Sequence, residues 1–257
     1  MIELKDKLGL EIKFDPDTFS LIFGDEVKKV KPAIRTIDQM RDVLVDPSLT
    51  EPKELYFMYR DVYRLGDEEK IRKHQLRFDI TVIKPDKLGK ELMKTAGHYH
   101  QGSFPELYEV VYGRAICLLQ RLDDKDDKKI NDVFAVHAKQ GQKIFCLPNY
   151  GHILINPGPL PLITSNWVSA QFQSQYEKYQ QAKGACYYVF ENNGNLRWEK
   201  NSFFTQVRDI HFTFPKDEIK GFGLSSNRPM YTLVDDLEKI SFLNNPTKFR
   251  YDSVFKG

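Results

Sequence analysis

The 257-residue sequence predicts an all-β protein, and three observations carry that expectation. Short apolar segments separated by Gly, Pro, Asn and Asp dominate residues 76–161, the punctuation that antiparallel strands require. Clean period-2 alternation already appears in Leu10-Glu11-Ile12-Lys13-Phe14. The third observation is Gly97-His98-Tyr99-His100. A strand puts residues i and i+2 on one face, so His98 and His100 aim both imidazoles at one point. A carboxylate and a third imidazole, Glu106 and His152, can complete a mixed N/O shell for a divalent metal inside a β-scaffold.

Element by element, residues 10–14 and 20–23 read as short strands. Residues 36–44 place apolar side chains at 37, 40, 43 and 44, the stripe of a short amphipathic helix that Thr36 caps. Residues 54–60 form an aromatic strand in which Tyr59 shares a face with Phe57 and Leu55. Further strands are expected over 76–83, 95–100, 106–119, 132–138, 143–147 and 152–156, then a helical segment over 171–182 and a strand over 185–190. Within 106–119, Glu106, Tyr108, Val110 and Tyr112 share one face, whereas Glu109 points to the other. The carboxylate-rich run at 123–129 lacks the Gly and the distal Glu of a Ca²⁺ loop and reads as a solvated hairpin tip. The tail, 191–257, is rich in Phe and Tyr, with a strand over 209–214 and a helix over 233–240. No linker or low-complexity tract separates it, so it is expected to pack on the barrel or on a partner subunit.

The balance of 38 Lys+Arg against 36 Asp+Glu gives a net charge of +2 with both signs interspersed. Bulk attraction to nucleic acid is therefore not indicated, and any anion needs a local site. Three scattered cysteines are too few for a disulfide framework, and Cys117 and Cys146 in apolar runs read as buried thiols. Met1-Ile2-Glu3-Leu4-Lys5 opens a polar segment without a signal-peptide core, and no apolar run approaches the roughly eighteen residues of a membrane span. A cytoplasmic protein without membrane or nucleic-acid partners is expected.

Spacing narrows the reading. Five residues separate His100 from Glu106 and six separate Glu106 from Gly113, and His152 sits four before Asn156. This pattern resembles the two-part signature of the cupins. Leu92 stands where the first motif usually has Gly, the gap from His100 to Glu106 is wider, and His152 follows Pro148 one residue sooner than usual. Several segments further resemble the cupin-type glucose-6-phosphate isomerases of archaea: Thr95-Ala96-Gly97-His98-Tyr99-His100, Pro105-Glu106-Leu107-Tyr108-Glu109, Trp167-Val168-Ser169, Gln175-Tyr176-Glu177 and the strand 78–82.

The resemblance covers most of residues 30–190 and implies a double-stranded β-helix (jelly-roll) barrel. The whole chain, 1–257, is then one domain with its core at about 54–190, extra N-terminal strands, and a C-terminal extension with short helices. It implies that His98, His100, Glu106 and His152 hold one divalent ion, Fe²⁺ first and Mn²⁺, Zn²⁺ or Ni²⁺ as alternatives. It further implies that Thr81, Thr95 and Gly97 surround the phosphate of a sugar phosphate, and that Tyr59, Tyr108 and Tyr176 surround the sugar. Glu106 and Tyr108 are then the catalytic pair in an isomerisation of glycolysis and gluconeogenesis, carried out by a homodimer. The family's His two residues before the last tyrosine is Ser174 here. An Fe²⁺ dioxygenase and a non-catalytic sugar-binding cupin are the alternatives that share the ligands.

Overall fold

A computed structural model describes residues 1–219, 222, 224–226 and 228–255. Two antiparallel sheets face one another. The first has six strands in the order Lys143–Cys146, Glu106–Tyr112, Leu162–Ser169, Leu76–Ile83, Glu54–Tyr59 and Ala33–Thr36. The second runs Gly151–Ile155, Arg114–Leu122, Lys129–Lys139, with Gln206–Val207 and His211–Thr213 added in parallel to the last. Tyr56, Ile83, Tyr108 and Val110 from one sheet meet Ile116, Leu118, Val133, Ile153 and Ile155 from the other in the core between them. This is the cupin-type β-barrel, with short helices outside it.

The long strand expected over 106–119 is two strands. Gly113 adopts φ +82°, and a Cβ there would stand 2.5 Å from the Pro161 carbonyl oxygen, so the chain turns a corner at a residue with no side chain and passes from the first sheet to the second. The expected strand 95–100 is shorter still. Only Tyr99–His100 is strand, paired with Ser174–Gln175, while His98 bridges His152. That pairing takes the start of the segment expected to be helical, and the helix shrinks to Glu177–Gln181.

Residues 36–44 do turn helically, as Ile37–Met40 followed by a 3-10 turn, with the Thr36 N–H donating to Gln39 Oε1. The run at 123–129 joins Arg114–Leu122 to Lys129–Lys139, its Asp123 and Asp126 accepting from the backbone N–H groups of Lys125 and Lys128. Cys117, Cys146 and Cys186 are buried free thiols.

The outer face of the six-stranded sheet is as apolar as its inner face. Phe57, Tyr59, Phe78, Leu107, Phe145 and Trp167 pack there against Leu4, Ile12 and Phe14 of the N-terminal hairpin and against Met230, Tyr231 and Phe242 of the tail. Every residue of Leu162–Ser169 is buried as a result. The tail is also pinned by polar contacts. Glu109 pairs with buried Lys143 and accepts from the Met230 N–H at 2.7 Å, and Trp167 Nε1 donates to the Met230 carbonyl at 3.0 Å. The helix expected at 233–240 lies inside a 3-10 segment, Met230–Leu243, kinked at Asp236. Tyr187, Val189 and Phe190 are buried within the chain, and Tyr188 is half-buried.

Candidate active site

The register of the first sheet builds one wall of a cavity. Tyr108 pairs with Asn166 and Asn166 with Asp79, while Glu106 pairs with Val168 and Val168 with Arg77. Both rows point inward and line the cavity, joined by Thr81, Tyr56 and Met58 from the same face. The opposite wall comes from Thr95, Gly97, His98, His100, His152 and Leu154.

At its centre four side chains converge, with donor atoms all within 4.8 Å of one another: His98, His100, Glu106 and His152. His98 Nε2 lies 3.1 Å from His100 Nε2, and Glu106 Oε2 lies 3.2 Å from both His100 Nε2 and His152 Nε2. Ligand bonds of about 2.1 Å at a right angle would separate two donors by about 3.0 Å, so these spacings fit one divalent ion shared by all four. The chemistry fits as well. His100 Nδ1 donates to the Phe104 carbonyl at 2.7 Å, which fixes the tautomer and leaves the Nε2 lone pair facing inward. Lone pairs crowded in this way repel unless a cation lies between them.

The protonation states agree. Burial first, then neighbouring His152 and His100, holds His98 well below the usual imidazole range, and burial lowers His152. Burial alone would raise Glu106, but its close contacts with His100 and His152 outweigh it and hold the carboxyl well below its usual range. Its second oxygen, Oε1, accepts from Asn166 Nδ2 at 2.6 Å. Burial and the charge of Glu106 push the Tyr108 phenol well above 10, so it stays a donor, its oxygen 3.4 Å from His152 Nε2.

A pH dependence follows with a definite sign. In the unfolded chain both imidazoles take up protons below about 6.5, and in the fold they resist doing so. The stability they confer is complete above that value and is lost as pH falls from about 6.5 toward the depressed folded values. Thermal unfolding of metal-free protein is therefore expected to show a midpoint that drops steeply below pH 6.5. A midpoint that stays flat from pH 7.5 to 5 would contradict neutral burial of His98 and His152.

Of the residues expected around the substrate, Thr81, Thr95, Gly97, Tyr108 and Tyr176 line the cavity. The Thr95 hydroxyl also accepts from the Leu154 N–H at 3.0 Å. Tyr59 does not line it. Its ring sits in the outer core against Phe23, and its hydroxyl accepts from the Leu21 N–H. Alternation along Glu54–Tyr59 gives the cavity to Tyr56 and Met58 instead, and Tyr56 accepts from the Ala96 N–H at 3.2 Å. Sequence reasoning also missed Asn166, Arg60, Arg77 and Asp79. Both arginines line the cavity and pair with the buried Asp79 carboxylate.

A family model described as "Glucose-6-phosphate isomerase (GPI)" matches residues 35–206, well over half of the chain. The chain belongs to the glucose-6-phosphate isomerase family. Curated glucose-6-phosphate isomerases of this kind include that of Pyrococcus furiosus, 28% identical over 207 residues that cover 76% of this chain and 99% of that protein. Those of Pyrococcus abyssi, 25% identical over 75% of this chain and 94% of the relative, and Thermococcus litoralis, 24% identical over 76% and 95%, are similarly related. The matched span of this glucose-6-phosphate isomerase family member starts at the edge strand of the first sheet and includes all four convergent side chains.

Proposed function

We propose that this cavity interconverts glucose 6-phosphate and fructose 6-phosphate. The observation that carries the reading is the convergence of His98, His100, Glu106 and His152 inside the barrel of a glucose-6-phosphate isomerase family member. Three imidazoles and one carboxylate are a borderline donor set, for which Fe²⁺ is the first choice and Mn²⁺, Zn²⁺ and Ni²⁺ are alternatives. When bound, such an ion supplies Lewis-acid stabilisation of the charge that develops on the C1 and C2 oxygens of the open-chain sugar.

The side chains do the rest. Ionised Glu106 takes the proton from C2 and returns it to C1, while the Tyr108 hydroxyl, protonated at neutral pH, moves a proton between the C1 and C2 oxygens. The C2–H bond breaks as the C1 oxygen gains a proton. The C1–H bond then forms as the C2 hydroxyl loses its own. Asn166 holds Glu106 at the orientation this requires. Thr81, Thr95 and Gly97 are read as partners of the phosphate and Tyr176 of the sugar, Tyr56 taking the place expected of Tyr59. The whole chain is read as one domain that works as a homodimer in the cytoplasm, in keeping with the family resemblance. Among the described residues no helix is long and apolar enough to cross a membrane.

A coupled assay of fructose 6-phosphate formation tests the proposal. Activity is expected to vanish with a chelator and to return with added Fe²⁺, and a non-reacting sugar phosphate but not free glucose is expected to compete with glucose 6-phosphate. Full activity after removal of all metal, or turnover that consumes oxygen without forming fructose 6-phosphate, would sink it.

A further inference from the structure

Arg35 stands opposite Tyr56 across the edge of the first sheet, and cross-strand partners share a face, so its guanidinium extends toward the cavity side. Two tyrosine rings hold it there, with Cζ 5.9 Å from the Tyr56 ring and 5.5 Å from that of Tyr176. Its Nε is buried without a hydrogen-bond partner. Arg41, Arg60, Arg64, Arg72 and Arg77 each pair with an aspartate, whereas Arg35 has no ion-pair partner among the described residues. A desolvated guanidinium N–H without an acceptor is an anion site in waiting.

The surrounding space has the right connection. Arg35 lines a lobe of about 200 Å³ that shares Ala96, Gly97 and Tyr176 with the main cavity. Gly97 lines both spaces, and at φ +80° a Cβ there would lie 2.5 Å from Ile153 and from Tyr179, so the position takes only a residue without a side chain. The Tyr176 ring is a stepping stone, 5.5 Å from the His98 ring on one side and 5.5 Å from the Arg35 guanidinium on the other. Two such steps suit an open six-carbon chain with its carbonyl end at the four convergent side chains and a phosphate at its far end. Asp42 and Glu177 also line the lobe, so a ligand anion enters it only against Arg35.

We propose that Arg35 is the cation that joins Thr81, Thr95 and Gly97 in binding the substrate's phosphate, where its lobe meets the main cavity at Gly97 and Tyr176. This rests on the isomerase reading and adds a cation to the neutral donors read there. Arg60 and Arg77 are less suited, because both already share the Asp79 carboxylate.

The experiment compares metal-loaded wild type with Arg35→Ala, Arg35→Lys and Arg60→Ala. Two quantities are read: steady-state kinetics on glucose 6-phosphate, and competition by inorganic phosphate. Arg35→Ala is expected to raise both KM and the inhibition constant of phosphate about tenfold or more, with a much smaller change in kcat. Arg35→Lys keeps the charge but loses the planar fork, so it is expected to recover part of the loss and serves as the test should the alanine variant fail to fold. Unchanged constants, a raised KM with an unchanged phosphate constant, or a larger effect from Arg60→Ala would each overturn the assignment. Calorimetry with inorganic phosphate separates it from the isomerase reading. Binding that wild type shows and Arg35→Ala loses supports Arg35 even in a protein that does not isomerise. Equal binding by both, or none by wild type, overturns it.

Discussion

Replacement of His152 by alanine is expected to remove the bound divalent ion and to lower turnover on the order of a hundredfold or more. Removing a group that only hydrogen-bonds to a metal-bound side chain already costs about 10–100-fold, and this change deletes a direct donor. His152 lies deep in the cavity at 2% exposure, and its Nε2 is one of the two nitrogens 3.2 Å from Glu106 Oε2. The backbone has no reason to move, because His152 and His98 exchange main-chain hydrogen bonds in both directions, at 3.1 and 3.3 Å, that a Cβ-only side chain preserves. Metal content measured on purified protein should therefore fall together with rate while the circular dichroism spectrum stays unchanged. His98→Ala and His100→Ala should behave alike, and His211→Ala, an exposed histidine outside the cavity, should do neither. Full metal and full rate in any of the three inner variants would dissolve the site.

The parts of this site that the sequence exposed are those whose signal is local. His98 and His100 are separated by one residue, and that spacing brought the rings together although only one of the two lies in a regular strand. Leu76–Ile83 could be bounded because its apolar run stops at Lys84-Pro85-Asp86 and is preceded by the polar Arg72-Lys73-His74-Gln75. Tyr59 illustrates the opposite case. Glu54–Tyr59 is buried on both faces, inward by Tyr56 and outward by Phe57 and Tyr59, so no polar–apolar alternation says which parity meets the cavity. Asn166 and Arg77 escaped for another reason. Their approach to Tyr108 and Glu106 is a matter of register between strands about sixty and thirty residues apart, which no local window contains. Residues 233–240 read as a regular helix because the apolar positions at 233, 234, 237 and 240 follow a helical stripe, but the segment is a kinked 3-10 run that covers the sheet beneath Trp167. Packing on that sheet outweighed local preference.

Substitution of Glu106 by glutamine is expected to slow isomerisation by about 10²–10⁴-fold, the usual weight of a positioned proton-transfer group, and to lower metal occupancy by much less. Glutamine keeps the length of the side chain and one oxygen but no longer accepts a proton from carbon. The neighbourhood makes Glu106 the carboxylate for this work. Glu109 faces the outer side, bound to Lys143 and to the Met230 N–H, and Asp79 is neutralised by Arg60 and Arg77. If Glu106 shuttles the proton, turnover in heavy water places solvent deuterium at C1 of fructose 6-phosphate to the extent that the buried carboxylate exchanges its proton before delivering it. Mass spectrometry of the product decides the matter. Complete retention of the hydrogen first carried by C2, in a variant series where Glu106→Gln loses rate only in proportion to metal, would make the transfer a direct C2-to-C1 shift and leave Glu106 with the ion as its sole charge.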